Sequence, residues 1–295
     1  MAATRDRVLF AETGFTKADA LDYYTRVARV LLPHLKNRPL SFKRYPASVR
    51  DESFWEKDAP SFTPSWVKRF AVPRKSDESE IEYIVINDAR TLKWLVDVGG
   101  IELHPFLHRI PKIDVATHVV FDLDPGEGAN IKHCCRVALL LRDALAAIDL
   151  QSFAKVSGSK GLQVYVPLNT NITHDATEPF ARMVAEELAR AHPKLVTAKM
   201  PKQYRAKKVF IDWSQNASYK TTVAVYSLRA KSAKPWVSMP VTWEEVKAAR
   251  GLYFSPEDAL ARVEEMGDLF APVLKLKQKL LWSGGRPRPP VSRET

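Results

Sequence analysis

An apolar segment at residues 118–124 constrains the fold of this chain more than any other feature. Its run of valine and phenylalanine predicts a strand, and Pro125 with Gly126 ends that strand. The pattern after it predicts a helix, a strand and a second helix, at residues 131–148, 162–168 and 176–191. Because strands and helices are mixed without an internal repeat, the sequence predicts an α/β or α+β architecture.

The rest of the chain continues this mixture. Thr16 and Asp19 form a helix-capping pattern, which predicts a helix over 16–36. Further helices are predicted at 92–98 and after Thr242 and Ser255, and further strands at 81–87, 209–213 and 221–229. Residues 1–282 are expected to form one domain, and the Pro- and Arg-rich residues 283–295 a linker or disordered tail.

The sequence argues against membrane insertion, secretion and a zinc site. It has no apolar run long enough to span a bilayer and no apolar N-terminal signal, so the chain is expected in the cytoplasm. Its two cysteines, Cys134 and Cys135, are adjacent and cannot join distant segments. His104 and His108 are four residues apart, but Pro105 between them disrupts a helical histidine pair.

Basic residues are concentrated in one stretch of the chain. The net charge is +11, and residues 194–234 contain ten lysines and arginines but one acid, Asp212. This stretch supplies most of the excess charge, so we expect a polyanionic partner, either nucleic acid or an anionic membrane surface. Solubility alone is the alternative explanation of the charge.

Three acidic residues come at the ends of apolar strands. The two-residue period of a strand places Asp122 and Asp124 on one face, and Asp212 ends a second strand. Adjacent carboxylates repel each other unless a cation lies between them, and oxygen ligands suit Mg²⁺ or Mn²⁺. Together the three residues match the ligands that two-metal phosphoryl transfer requires. The alternative is a solvated strand end whose acids cap the next helix.

The first acidic motif also resembles the nucleophile motif of haloacid-dehalogenase-type phosphatases. That family has Gly-Thr after its second aspartate, whereas Pro125 and Gly126 stand here. It also uses a later acidic pair for Mg²⁺, and the adjacent acidic pairs beyond Asp124 all fall in helical patterns. The phosphatase interpretation is therefore disfavoured.

Residues 157–161, Ser-Gly-Ser-Lys-Gly, lead directly into the strand predicted at 162–168. Glycine backbone amides, the Ser157 hydroxyl and the charge of Lys160 can together hold an anion. Arg229 can add a bidentate contact that a lysine cannot make. Ser/Gly turns before strands are common, but beside three candidate metal ligands these residues predict a triphosphate-binding site.

These motifs resemble the polymerase domain of bacterial DNA ligase D, a member of the archaeo-eukaryotic primase superfamily. The resemblance covers about residues 4–280 and implies a primase-like catalytic core, with mixed and antiparallel sheets flanked by helices and an RRM-like catalytic subdomain. The motifs that carry it are FDLDPGEG (121–128), SGSKGL (157–162), FIDWSQN (210–216), YSLR (226–229) and VSMPVTWEE (237–245).

The resemblance implies roles for individual residues. The catalytic metal ligands correspond to Asp122, Asp124 and Asp212. Nucleotide-binding or active-site positions correspond to Lys43, His104, Ser157, Lys160, Gln215 and Arg229. DNA-binding positions correspond to Phe54 and Trp55 (stacking on the template and incoming base), Arg205 (near the primer), and Arg7 and Lys17 (a downstream 5′-phosphate). Core packing is the alternative for the two aromatics. Gln163 departs from the family, which usually has histidine there.

The resemblance implies a metal-dependent nucleotidyltransferase that extends primers at DNA ends and gaps in non-homologous end joining. Such a domain fills gaps on a template, prefers NTPs to dNTPs, and uses two Mn²⁺ (or Mg²⁺) ions per active site. The implied partners are gapped duplex with a 5′-phosphate, Ku, and an ATP-dependent DNA ligase on the same or another polypeptide, in the bacterial nucleoid and away from membranes. The alternative is a non-catalytic DNA-end-binding module that tethers repair factors, which has no need of three carboxylates.

Overall fold

A computed structural model describes residues 5–74, 77 and 79–280, and within it the chain divides into two compact units. The first unit comprises Met1–Lys112, Thr221–Met239 and Tyr253–Leu269, and the second comprises Ile113–Lys220, Pro240–Leu252 and Phe270–Thr295. The predicted domain end at 282 and the predicted tail at 283–295 lie outside the described residues and stay predictions.

The strands of the described residues are β1 (Val8–Phe10), β2 (Phe15–Thr16), β3 (Pro39–Arg44), β4 (Phe54–Glu56), β5 (Arg69–Pro73), β6 (Glu80–Val85), β7 (Gly100–Pro105), β8 (His108–Arg109), β9 (Lys112–Pro125), β10 (Phe153–Val156), β11 (Leu162–Thr173), β12 (Val196–Thr197), β13 (Val209–Asp212), β14 (Leu228–Arg229), β15 (Trp236–Val237) and β16 (Pro240–Val241).

The α-helices are α1 (Lys17–Leu35), α2 (Ala89–Asp97), α3 (Ile131–Ala146), α4 (His174–Ala191), α5 (Trp243–Ala248), α6 (Pro256–Met266) and α7 (Ala271–Lys275), and short 3₁₀ helices span Lys202–Tyr204 and Trp213–Asn216. None of the helices in the described residues is both long and apolar enough to cross a membrane.

The second unit is built on a sheet with strand order β12-β13-β9-β11-β10-β16. Its pairs are antiparallel except β12 with β13, which run parallel. Val119, Phe121 and Leu123 on β9 are fully buried, and α3 and α4 pack against the sheet. The apolar run of β9 is therefore a central strand, as the sequence predicts for residues 118–124, and it is longer at both ends.

The first unit contains a sheet with strand order β4-β3-β6-β5, and β7 pairs with β3 as well. Helix α1 packs against α2 and α6. Its start is the predicted capping box, in which the Thr16 side chain accepts from the Asp19 amide and the Asp19 carboxylate accepts from the Thr16 amide. The same arrangement begins α5 at Thr242 and α6 at Ser255, as predicted.

The prediction of a strand over 221–229 is wrong for most of that segment. Only Leu228 and Arg229 lie in a strand, β14, while Thr221 makes an isolated bridge to Phe106. The positive φ of Tyr226, +65°, takes the backbone out of the extended region and interrupts any ladder. The segment instead bonds irregularly along β7, where the Ala224 amide donates to the Leu103 carbonyl at 2.8 Å.

Candidate active site

The three predicted metal ligands share one face of the second unit's sheet. Asp122 on β9 lies directly opposite Asp212 on β13 in the antiparallel register. Asp124 follows two residues after Asp122, so its side chain leaves the strand on the same side. Directly opposite residues of an antiparallel pair have Cβ atoms about 4.5–5.5 Å apart. The register therefore brings together three carboxylates from two segments distant in the sequence.

The electrostatics of Asp122 reflect this proximity. Burial, followed by repulsion from Asp124 and Asp212, raises the pKa of Asp122 to about 7. A hydrogen bond from Gln163, which lies opposite Asp122 on β11, and the charge of the buried Lys155 act against the rise. Mutual repulsion of this kind is relieved by a cation between the carboxylates.

The residue types fit a hard divalent cation, because all three candidate ligands are carboxylates. As the side chains stand, however, no group of three or more His, Cys, Asp or Glu residues that could hold a metal is found in the described part of the chain. The Asp212 carboxylate accepts from the Ser214 hydroxyl at 2.6 Å and from Gln215 Nε2 at 3.0 Å. Both oxygens of Asp212 are thus hydrogen-bonded to side chains of the 3₁₀ helix Trp213–Asn216 that follows β13.

The predicted phosphate loop connects β10 to β11 beside Asp124. The Ser157 hydroxyl donates to the Gly161 carbonyl at 3.0 Å and accepts from the Ser159 and Gly161 amides. A Cβ on Gly161 would lie 2.4 Å from the Leu123 carbonyl oxygen and 3.5 Å from Asp124 Oδ1, so this glycine permits the close approach of the loop to β9. Lys160 at the loop tip is exposed.

The segment that carries Arg205 is bonded to the turn after Asp124. The Gly126 amide donates to the Lys208 carbonyl at 2.9 Å, and the Lys207 amide donates to the Glu127 carbonyl at 2.6 Å. The Arg205 side chain folds back on its own segment, where it donates to the Met200 carbonyl and stacks over the Phe210 ring, 3.7 Å from its centroid. Its predicted position near a primer stays a prediction.

In the first unit, the predicted nucleotide-binding residues surround Glu102 on β7. Lys43 on β3 lies opposite Glu102 in the register, and His104 lies on the same face of β7 as Glu102. Arg229 Nε is 3.3 Å from Glu102 Oε2, and His104 Nε2 is 3.5 Å from the same oxygen. Lys43, His104 and Arg229 thus surround one buried acid.

The two predicted stacking residues lie on β4 and are exposed. Phe54 and Trp55 are 38% and 45% exposed to solvent, which disfavours core packing as their role. The Trp55 ring meets His104 edge-on at 4.6 Å between centroids. The Arg44 guanidinium, paired with Glu56 at 2.8 Å, stacks over Phe54 at 4.8 Å. This edge of the first unit therefore presents aromatic and cationic groups together.

Arg7 and Lys17, predicted to bind a 5′-phosphate, line one cavity of about 270 Å³ in the first unit. Arg44 and Phe62 line the same cavity. Lys17 is buried and its Nζ lies 2.7 Å from Asp97 Oδ1. The cavity thus holds three cationic side chains, of which Lys17 is paired with Asp97 and Arg44 with Glu56.

Residues 16–270 match the family model of the LigD primase-polymerase domain. The chain belongs to this family. The match covers most of the chain and confirms the resemblance inferred from the five motifs. It also makes the chain a nucleotidyltransferase domain of the primase-polymerase type.

Individual relatives agree with the family assignment. The chain is 42% identical over 270 residues to the multifunctional non-homologous end joining protein LigD of Mycolicibacterium smegmatis, and 31% identical over 264 residues to the bifunctional LigD of Bacillus subtilis. These matches cover 91% and 89% of the chain but 35% and 42% of the relatives. The chain therefore spans less than half the length of these curated relatives.

A solved structure confirms the predicted fold class. The polymerase domain from Mycobacterium tuberculosis ligase D, in complex with DNA, is similar with a TM-score of 0.88 and 39% identity. The match covers 93% of this chain and 97% of that one. The mixed α/β core with flanking helices is thus the LigD polymerase fold.

The sequence missed several residues that surround the predicted site. Glu102 and Tyr45 are hydrogen-bonded at the centre of the first unit's cluster, Arg44 lies over Phe54, and Lys155 lies buried near Asp122 in the second unit. The available signal was a charged residue inside an apolar strand, since Glu102 interrupts the run Gly100–Pro105. The sequence shows Gln163 as a departure from the family, but it does not indicate that Gln163 lies opposite Asp122 and is hydrogen-bonded to it.

Proposed function

We propose that this domain extends the 3′ end of a DNA primer at breaks and gaps during non-homologous end joining. The observation that carries the proposal is the register that sets Asp122 opposite Asp212, with Asp124 on the same face and the Ser157–Gly161 loop alongside. Carboxylates next to a loop rich in anion-binding groups suit nucleotidyl transfer. Membership of the LigD primase-polymerase family supports the same function.

In the proposed reaction the primer 3′-oxygen attacks the α-phosphorus of a nucleoside triphosphate. A new P–O bond forms, the bond to the pyrophosphate oxygen breaks, and the hydroxyl proton is lost to solvent. A divalent cation, Mn²⁺ or Mg²⁺ at up to two positions, would lower the pKa of that hydroxyl and offset phosphate charge. Asp122, Asp124 and Asp212 are the residues that would hold it.

The chain's own side chains would bind the triphosphate and the DNA. We assign Ser157, Lys160 and Gln215 in the second unit, and Lys43, His104 and Arg229 in the first, to the nucleotide. Phe54 and Trp55 would stack on the template and incoming base, and base–aromatic stacking contributes about 1–3 kcal/mol per base. Arg205 would contact the primer. The proposal includes NTP preference, Ku and an ATP-dependent ligase as partners, and action at the bacterial nucleoid.

Asp122→Asn and Asp212→Asn should each reduce the rate of nucleotide incorporation by at least about 100-fold, because each removes a charge that the metal requires. The measurement is extension of a labelled primer across a gap with Mn²⁺, using NTPs and dNTPs in parallel. Binding of the same gapped duplex should persist in both variants. Incorporation that survives in either variant would contradict the mechanism, and wild-type binding without incorporation would favour the tethering module.

A second experiment concerns the 5′ end of the gap. The double change Arg7→Ala with Lys17→Ala should remove the preference for a 5′-phosphate over a 5′-hydroxyl, because both side chains line the same cavity. The ratio of affinities for the two gapped duplexes is the readout, and Arg26→Ala with Arg29→Ala, on the same helix as Lys17, is the matched control. An unchanged ratio in the test variant would refute the phosphate assignment.

A further inference from the structure

Glu102 is a fully buried carboxylate in the first unit, at the centre of the strand β7. Its neighbours along the strand, Ile101 and Leu103, are fully buried apolar residues. A buried charge is costly unless it is paired and hydrogen-bonded, and replacing a buried ion pair with apolar residues is often neutral or stabilising. We therefore expect the buried carboxylate at this position to have a role besides stabilising the fold.

Both carboxylate oxygens of Glu102 are engaged. Oε1 accepts from the Tyr45 hydroxyl and from the Ala230 amide, each at 2.9 Å. Oε2 faces Arg229 Nε at 3.3 Å and His104 Nε2 at 3.5 Å. The first pair of contacts fixes the carboxylate on the scaffold, and the second pair places its charge beside the Arg229 guanidinium and the His104 ring.

The surroundings keep Glu102 ionised. Burial acts to raise the pKa of Glu102, but His104, Arg229 and the Ala230 amide outweigh it and lower that pKa to about 2. Lys43 lies close to the same charges: burial, Lys231 and Arg229 lower its pKa, while Glu102 raises it. Glu102 is thus the negative charge that offsets repulsion within a group of cations.

We infer that Glu102 is a positioning residue for the nucleotide, which holds Arg229 and His104 in place to receive the triphosphate. The inference rests on the proposed function, since it takes Arg229 and His104 as nucleotide contacts. Like charges placed close together tend to separate, and a triphosphate can assemble them only at a cost in affinity. A buried carboxylate behind them removes that cost before the nucleotide arrives.

The test is Glu102→Gln, which keeps the size of the side chain and an acceptor for Tyr45 and Ala230 but removes the charge. We expect the KM for NTP to rise about 10-fold or more while kcat changes less than about 3-fold, since binding common to the ground and transition states is lost. Affinity for gapped DNA without nucleotide should stay unchanged. Fluorescence anisotropy of a labelled, non-hydrolysable nucleotide gives a readout independent of turnover. An unchanged KM and nucleotide affinity would overturn the inference.

A double variant asks whether Glu102 acts through Arg229. Arg229→Gln alone should weaken nucleotide binding, and adding Glu102→Gln should then cost less than it does in the wild-type background. Fully additive losses would show that Glu102 acts by another route and would overturn the inference.

A matched control uses a half-buried acid of the same unit that also pairs with a tyrosine and a histidine. Asp268 accepts from the Tyr226 hydroxyl at 2.7 Å and lies 2.9 Å from His34 Nε2. Asp268→Asn should lower the melting temperature without raising the KM for NTP. If Glu102→Gln does not fold, Tyr45→Phe removes one fixing hydrogen bond and should still raise the KM about 2- to 5-fold.

The proposed function and the role of Glu102 can be refuted separately. A wild-type domain that incorporates no nucleotide would refute the proposed function. A wild-type domain that incorporates nucleotide, with Glu102→Gln behaving like Asp268→Asn, would refute only the role of Glu102.

Discussion

At the scale of the residue, Glu102 links the stability of the first unit to pH. Its folded-state pKa of about 2 lies below the ordinary value of 4.5, because His104, Arg229 and the Ala230 amide outweigh the effect of burial. A depressed carboxylate pKa stabilises the folded state at any pH above the unfolded value. That contribution is lost as pH falls from about 5 towards 2.

We therefore expect wild type and Glu102→Gln to differ in the pH dependence of the free energy of unfolding. The wild type should lose about 3 kcal/mol more than the variant between pH 5 and pH 2, since each pKa unit corresponds to about 1.4 kcal/mol. Urea denaturation at a series of pH values measures this. Parallel curves for the two proteins would contradict the ionised, paired state of Glu102.

At the scale of the element, the contact between the phosphate loop and β9 depends on a missing side chain. A Cβ on Gly161 would stand 2.4 Å from the Leu123 carbonyl oxygen, closer than such atoms can approach. Because the obstacle is backbone of a central strand, the loop must shift rather than the strand. Ser157 and Lys160 would shift with it.

Gly161→Ala should accordingly reduce nucleotide incorporation by at least about 10-fold and lower stability by about 1–3 kcal/mol. Primer extension and thermal denaturation are the two measurements. Gly251→Ala is a suitable control, because a Cβ there meets nothing within 4 Å although its φ is +66°. The control should lose some stability from backbone strain but keep incorporation, and equal activity in both variants would refute the role given to Gly161.

The elements that could be predicted from sequence are those with local signals. The capping boxes at Thr16, Thr242 and Ser255 lie within four residues of chain and were identified correctly. Strand β10 is not predicted from the sequence, because a segment of four residues is too short to show a period. The segment 221–229 reads as a strand by composition, and only tertiary bonds to β7 and the turn at Tyr226 reveal otherwise.

The candidate site was predictable to the same extent. Alternation along β9 indicated that Asp122 and Asp124 share a face, which is a local property. That Asp212 lies opposite Asp122, and Gln163 beside it, depends on strand pairing between distant segments. The family resemblance implies that Asp212 belongs to the same metal site, which the periodicity of either strand alone does not show. The position of Glu102 inside an apolar run indicates burial, but its partners Tyr45 and Arg229 come from distant segments and have no local signal.

At the scale of the whole molecule, the excess positive charge should govern binding to DNA. Residues 194–234 contain ten basic residues against one acid, and Lys199 and Lys202 in this stretch are exposed. Each lysine that neutralises a phosphate releases counterions, which makes affinity fall as salt rises. Binding to DNA is thus expected to be strongly salt-dependent.

Lys199→Ala with Lys202→Ala should reduce the slope of log K against log salt by about 2, since each phosphate contact contributes about 0.9. The measurement is fluorescence anisotropy with gapped duplex from about 50 to 200 mM salt. Lys132→Ala with Lys247→Ala removes two exposed lysines outside the stretch and is the control. Equal slopes for both double variants would show that the lysines of residues 194–234 contribute no more to phosphate binding than lysines elsewhere.

The paired hydrogen bonds between the turn at Gly126 and the segment around Lys207 have a consequence for how this domain can change over evolution. Because backbone atoms on both sides make the bonds, a change of side chain at Glu127 or Lys208, whose carbonyls accept them, leaves the acceptors in place. A Cβ on Gly126 would lie 1.8 Å from the Arg205 carbonyl oxygen, so this position tolerates glycine alone. The spacing between Asp124 and the segment of Arg205 is therefore expected to persist in homologous domains that keep glycine at this position, whereas substitution of the arginine itself changes only what that side chain reaches.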